Sequence, residues 1–179
     1  MTNKLALVFP GQGSQSVGML NDYLVARPAI VSAACAEASD ILGYDMAELI
    51  ARDLLQQLNQ TAFTQPAMLT AGVIAWRIRQ LESEQEPVLL AGHSLGEYTA
   101  LVCAGALTFA EALKLVAKRG ALMQAAVAPG DGAMAAILGL ELATIQTICT
   151  EVGGVQAANI NAPGQIVIAG YAQAVEAAI

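Results

Sequence analysis

The segment LLAGHSLGEYTA, residues 89–100, constrains the fold more than any other stretch of the chain. Residues 87–92, PVLLAG, form a short apolar run of strand type, and a helical pattern begins a few residues later. Between them, Gly92-His93-Ser94-Leu95-Gly96 fits G-x-S-x-G. In that setting the serine sits on a sharp strand-to-helix turn at the carboxyl edge of a parallel sheet. The glycines let the chain reverse and keep side chains away from Ser94. The N–H of Leu95, in the first helical turn, would then face a developing oxyanion. With 16 glycines in the chain a chance match is the plain alternative, but the flanking strand and helix signals weigh against it.

A serine nucleophile needs a base, and His93 is the chain's single histidine. Neighbouring residues on a sharply turning backbone point in diverging directions, whereas a base must come within about 3 Å of the serine oxygen. His93 is therefore read as an orienting or packing residue beneath the turn.

Composition agrees with an α/β fold. The 179 residues are 56% hydrophobic and only 4% aromatic, a balance of Ala, Leu, Val and Ile suited to helices around a parallel sheet. The net charge of -7 argues against nucleic acid, and the basic residues are scattered apart from Lys114, Lys118 and Arg119. Cys35, Cys103 and Cys149 lie far apart in apolar stretches, so they read as reduced core residues, and no metal-ligand spacing occurs. The first apolar run ends at Pro10, and no run reaches the ~18 residues of a membrane span. A soluble, cytoplasmic protein is expected.

Along the chain, residues 4–9 predict a buried strand and residues 17–53 two or three helices. Residues 64–84 predict one long helix, with Thr64 capping it and Pro66 near its first turn. Residues 87–92 give a second buried strand, and a helix follows to about residue 104. Thr108 and Glu111 form a capping-box pattern that opens a further helix of about 20 residues. Residues 128–132, APGDG, are the clearest linker. Beyond it the order strand, helix, strand, turn, strand, helix is most of a ferredoxin-like unit, lacking its last strand. The expected division is 1–128 and 129–179.

Two further features bear on chemistry. FPGQGSQ, after the first strand, lacks the third glycine of the dinucleotide fingerprint because Ser16 stands there, and it has no Walker lysine. It does hold Gln12 between two glycines at the end of a strand, where its N–H is placed to be a second oxyanion donor. A tight turn without chemistry is the alternative. On the helix from Thr108, Arg119 shares a face with Leu115, Leu122 and Met123. A guanidinium among aliphatic neighbours calls for an anion, and its planar fork suits a carboxylate. The alternative is an ordinary solvated arginine.

Four blocks in register, Phe9–Gln15, Gly92–Tyr98, Arg119 with Met123-Gln124, and Asn161–Gln165, closely resemble the malonyl-CoA:acyl carrier protein transacylases of fatty acid synthesis. The resemblance runs over essentially the whole chain. It implies an α/β-hydrolase-like large subdomain with an inserted ferredoxin-like small subdomain, both incomplete here. It also implies that Ser94 is acylated by malonyl-CoA, that the amides of Gln12 and Leu95 form the oxyanion hole, and that Arg119 pairs with the free malonyl carboxylate. Gln65, Met123 and Asn161 match positions near the pocket. The substrate would be a coenzyme A thioester with no bound cofactor, the acceptor an acyl carrier protein, and the molecule a monomer.

The family's catalytic histidine lies further along than residue 179. The sequence therefore reads as the N-terminal part of a longer enzyme, inactive alone. Polyketide acyltransferases, malonate decarboxylase subunits and serine hydrolases share the same turn, and a non-enzymatic scaffold is the remaining class.

Overall fold

The computed structural model describes residues 4–128 and 130–179. Pro129, the first residue of the expected second domain, lies outside them. The contacts divide the chain into two compact units, residues 1–124 and 125–179.

In the first unit, β1 (Ala6–Phe9) pairs in parallel with β2 (Leu89–Gly92), Phe9 lying opposite Gly92. Between them run α1 (Asn21–Ala26), α2 (Pro28–Leu42), α3 (Met46–Ala51) and the long α4 (Thr61–Glu82). α5 (Leu95–Cys103) and α6 (Phe109–Ala125) follow β2. The core lies among the helices, with Met46, Ile50, Leu69, Ile74, Leu95 and Leu113 almost fully buried. The strands are less enclosed than their apolar sequences suggest. Val8 is 76% and Leu89 58% exposed, and in β1 only Phe9 is buried. α5 packs on both strands, while an apolar cleft of about 330 Å³ lies between β1 and α4, lined by Leu7, Phe9, Met68, Ala75 and Trp76 among others.

Two helix starts show how far local signals carry. α4 begins at Thr61, with Gln60 in extended backbone before it and no side-chain cap, so Thr64 is not the cap. Thr64 is instead a buried donor to the carbonyls of Leu58 (2.6 Å) and Gln60 (3.0 Å). Pro66 consequently lies inside the helix, beyond its first turn. α6 opens as expected from a reciprocal capping box. The Glu111 N–H donates to Thr108 Oγ1 (3.2 Å), and Thr108 N–H and Oγ1 donate to Glu111 Oε2 (2.9 and 2.6 Å).

These bonds, the side-chain hydroxyl's first, hold the Glu111 carboxyl below its ordinary pKa, with Lys114 nearby adding to the effect. A depressed folded-state pKa stabilises the fold above the unfolded value, and the gain is lost as pH falls through the folded value. Glu111→Ala is thus expected to lower the melting temperature at neutral pH. The gap should close as the solution is acidified past the carboxylate range, measured by thermal unfolding across pH.

The cysteines fit the core reading for two residues. Burial pushes the Cys35 thiol up to about 11, with Asp45 contributing, and Cys103 up to about 12. Cys35 and Cys149 are buried, Cys103 half-buried, and all three are free thiols.

In the second unit, β3 (Gly132–Leu138), α7 (Leu142–Val152), β4 (Val155–Ala162), β5 (Gln165–Tyr171) and α8 (Ala172–Ala178) follow in the predicted order. The sheet order is β3-β5-β4, with β5 antiparallel to both neighbours, as in the first three strands of a ferredoxin-like unit. Ile145, Cys149, Val155, Ile166, Ile168 and Val175 form its core. Pro163-Gly164 turns β4 into β5, Gly164 taking the left-handed φ of 70° such a turn requires. Among the described residues no helix is long and apolar enough to cross a membrane.

Candidate active site

The site is built where β2 meets α5. Gly92 and Gly96 are required there by space. A Cβ on Gly92 would fall 2.1 Å from the Gly96 carbonyl carbon, and one on Gly96 would fall 2.2 Å from the Phe9 carbonyl oxygen. The turn is therefore closed on itself and pressed against the end of β1. Ser94 pays a conformational cost, with φ 55° and ψ -110°, a region that side chains other than glycine rarely adopt.

That backbone stops Ser94 from acting as an ordinary helix cap, and its hydroxyl makes no capping bond to α5. The Oγ instead accepts a hydrogen bond of 2.8 Å from Arg119 Nη2. The N–H of Gly96 is taken by the His93 carbonyl (3.0 Å) and that of Glu97 by the Ser94 carbonyl (3.3 Å). The Leu95 N–H, first in the helix, has no acceptor among the described residues.

Gln12 lies in the turn after β1, which rests against the serine turn. A Cβ on Gly11 would lie 3.0 Å from the His93 carbonyl oxygen. The Gln12 side chain donates to Thr61 Oγ1 (3.0 Å), while Gln15 binds Asn59 Oδ1 (2.9 Å) and accepts from the Gly13 N–H (2.8 Å). The Gln12 N–H also lacks an acceptor among the described residues.

Arg119 is half-buried, and among the described residues it makes no salt bridge. Its Nη1 donates to Gln65 Oε1 (2.8 Å), and its guanidinium carbon lies 5.8 Å from the ring centre of Tyr98. Gln65 is fully buried on α4, and its amide nitrogen donates to Met123 Sδ (3.2 Å). Ser94, Arg119, Gln65 and Met123 thus form one chain of contacts holding a cation without a carboxylate, beside a hydroxyl. That arrangement can accept an anion next to an acyl acceptor.

The face that Arg119 shares with Leu115, Leu122 and Met123 is not the core side of α6. Leu115, Leu122 and Met123 are 47%, 61% and 49% exposed, and the core side of α6 is Phe109, Ala112, Leu113, Val116 and Gly120. His93 is also exposed rather than packed beneath the turn, and among the described residues its side chain makes no hydrogen bond. Asn161 lies near the end of β4 in the second unit, exposed. Tyr98 and Thr61 were not singled out from the sequence. Tyr98 stands in the first turn of α5, four residues after Ser94, whereas nothing in the spacing marks Thr61.

Residues 6–179 match the family profile described as the acyl transferase domain. The chain is 52% identical to the malonyl CoA-acyl carrier protein transacylase of Escherichia coli K12 over 98% of its length and 57% of that relative. Two solved structures superpose closely. One is a type II polyketide synthase acyl-carrier protein in complex with its malonyl-transacylase, at 51% identity and TM-score 0.91 over 98% of this chain and 58% of that one. The other is the malonyl CoA-acyl carrier protein transacylase of Coxiella burnetii, at 49% identity and TM-score 0.91 over 98% and 56%. The chain therefore spans little more than half the length of the relatives it matches.

Proposed function

The chain belongs to the acyl transferase domain family, and from that premise we propose that it carries the acyl-loading site of a malonyl-CoA:acyl carrier protein transacylase. The observation that supports this most is the 2.8 Å bond between Arg119, a cation with no carboxylate partner among the described residues, and the Oγ of Ser94.

In the proposed reaction Ser94 Oγ attacks the thioester carbonyl carbon of malonyl-CoA and its proton passes to a general base. The exposed, unbonded His93 is not assigned that role. The carbonyl oxygen becomes an oxyanion facing the unoccupied N–H groups of Leu95 and Gln12. Collapse expels coenzyme A as its thiol, which takes up the proton, and leaves a malonyl-serine ester. The phosphopantetheine thiol of the carrier then attacks that ester, giving its proton back through the base to Ser94. Throughout, Arg119 holds the distal carboxylate by two charge-assisted hydrogen bonds, with Gln65 and Met123 behind it. Asn161 is proposed as a further substrate-binding residue because it matches the family motif. An acetyl group would leave the guanidinium without its anion, which is the basis of selection.

The test is acylation of the complete gene product by malonyl-CoA, followed by peptide mapping and a chase with acyl carrier protein. A malonyl ester on the peptide containing Ser94 that moves to the carrier is expected. Free malonate as the main product would support a serine hydrolase, and absence of acylation a scaffold. Fatty acid and type II polyketide carriers belong in the same assay, because one structural relative is bound to a polyketide carrier.

A further inference from the structure

The first residues of α4 touch both halves of the site. Thr61 Oγ1 accepts from the side chain of Gln12 at 3.0 Å, and Gln15 is tied to Asn59 two residues earlier. The same residue meets α6 through its backbone. A Cβ on Gly120 would lie 2.7 Å from the Thr61 carbonyl oxygen and 2.9 Å from Ala62 Cα. Gly120 is buried in mid-helix, where glycine is less favourable than alanine, so its place there needs a packing reason. The close approach supplies one, and it occurs next to Arg119. One turn further along α4, Gln65 receives the Arg119 guanidinium.

We propose that Thr61 is a positioning residue for both functions of the site. Its hydroxyl fixes the Gln12 turn against the serine turn, and its backbone seats Gly120 so that Arg119 reaches Ser94. The inference rests on the acyl-loading reading above. It assigns the two effects to separate atoms of one residue, so they can be separated by substitution.

Thr61→Val keeps the backbone seat and removes the hydrogen-bond acceptor. In the complete gene product it is expected to lower kcat for malonyl and acetyl loading alike, by about threefold to tenfold, as for the loss of one neutral hydrogen bond. The malonyl-to-acetyl ratio should stay as in the unsubstituted protein, and Thr61→Ser should restore the rate. Gly120→Ala retains the Thr61 hydroxyl and forces α6 and α4 apart. It is expected to raise KM for malonyl-CoA and lower the malonyl-to-acetyl ratio by about tenfold while acetyl loading holds, as for a shifted charge-assisted contact.

Wild-type kinetics in Thr61→Val, or failure of Thr61→Ser to restore the rate, would overturn the role of the hydroxyl. An unchanged ratio in Gly120→Ala would overturn the seat. If Gly120→Ala does not fold, the valine and serine pair still decides the role of the hydroxyl, and the failure itself, from one methyl set against the Thr61 carbonyl oxygen, counts for the seat. Should malonyl never appear on Ser94 of the unsubstituted protein, it is the acyl-loading reading that falls, a result distinct from either of these.

Discussion

Arg119→Ala is expected to reduce malonyl loading of the complete gene product by about 100-fold or more, the scale of losing a charge-assisted, two-point contact to a carboxylate. Acetyl loading should be spared or raised. The argument starts from what the arginine touches. Among the described residues its partners are the Gln65 side-chain oxygen Oε1, the Ser94 hydroxyl and the face of Tyr98, all neutral. A half-buried guanidinium cannot discharge itself by losing its proton, so it holds an unmet demand for negative charge. In the proposed reaction a malonyl carboxylate would meet it, whereas an acetyl methyl group would not.

Removing the side chain also leaves the buried Gln65 oxygen without its donor, so some loss of stability is expected. Stability loss alone would reduce both loadings together. Steady-state loading with the two thioesters, run beside a urea titration, separates the cases. Equal loss of malonyl and acetyl transfer in a folded variant would overturn the assignment.

The contrast between Ser94 and Arg119 shows what a sequence of this kind discloses. The G-x-S-x-G turn was legible because its chemistry is local: strand, two glycines and helix are consecutive, and the glycines are demanded by contacts a few residues away or at the end of the paired strand. The capping box at Thr108 and the element order of the second unit were legible for the same reason. Arg119 was found on the face it shares with Leu115, Leu122 and Met123, but that face is not the buried one. Large apolar neighbours at i-4, i+3 and i+4 suggested burial, whereas α6 buries Ala112, Val116 and Gly120. Close helix packing selects small residues, and a pattern search weighted toward large ones misplaces the buried side.

Thr64 failed for a related reason. It is of a cap-forming type, but its hydroxyl donates to carbonyls instead of accepting from an N–H, and the true start at Thr61 has no cap side chain to announce it. The joining of Gln12 to Thr61, 49 residues away, and of Arg119 to Ser94, 25 away, is tertiary. No periodicity encodes it; within this chain it arises only once β1, α4, α5 and α6 are packed.

Gly96→Ala is expected to be severely damaging for a single-methyl change, costing about 3 kcal/mol or more of stability and most of the acylation rate. The added carbon would meet the Phe9 carbonyl oxygen at 2.2 Å, its carbon at 3.0 Å and the Pro10 oxygen at 3.1 Å. These are backbone atoms at the end of β1 and of the residue after it, so no rotamer change relieves the clash. Either α5 lifts from β1 or the pairing of Phe9 with Gly92 opens, and both movements carry the Leu95 N–H away from the Gln12 turn.

Gly13→Ala provides the control for glycine loss as such. Its φ of 105° makes alanine strained, but a Cβ there meets nothing within 4 Å. The expected cost is therefore conformational only, about 1 kcal/mol on the scale of a single strained dihedral. Urea midpoints for the two variants, with malonyl loading measured on the folded fraction, test the difference. If Gly96→Ala unfolds no more easily than Gly13→Ala, the steric closure of the serine turn onto β1 is not what holds the site together.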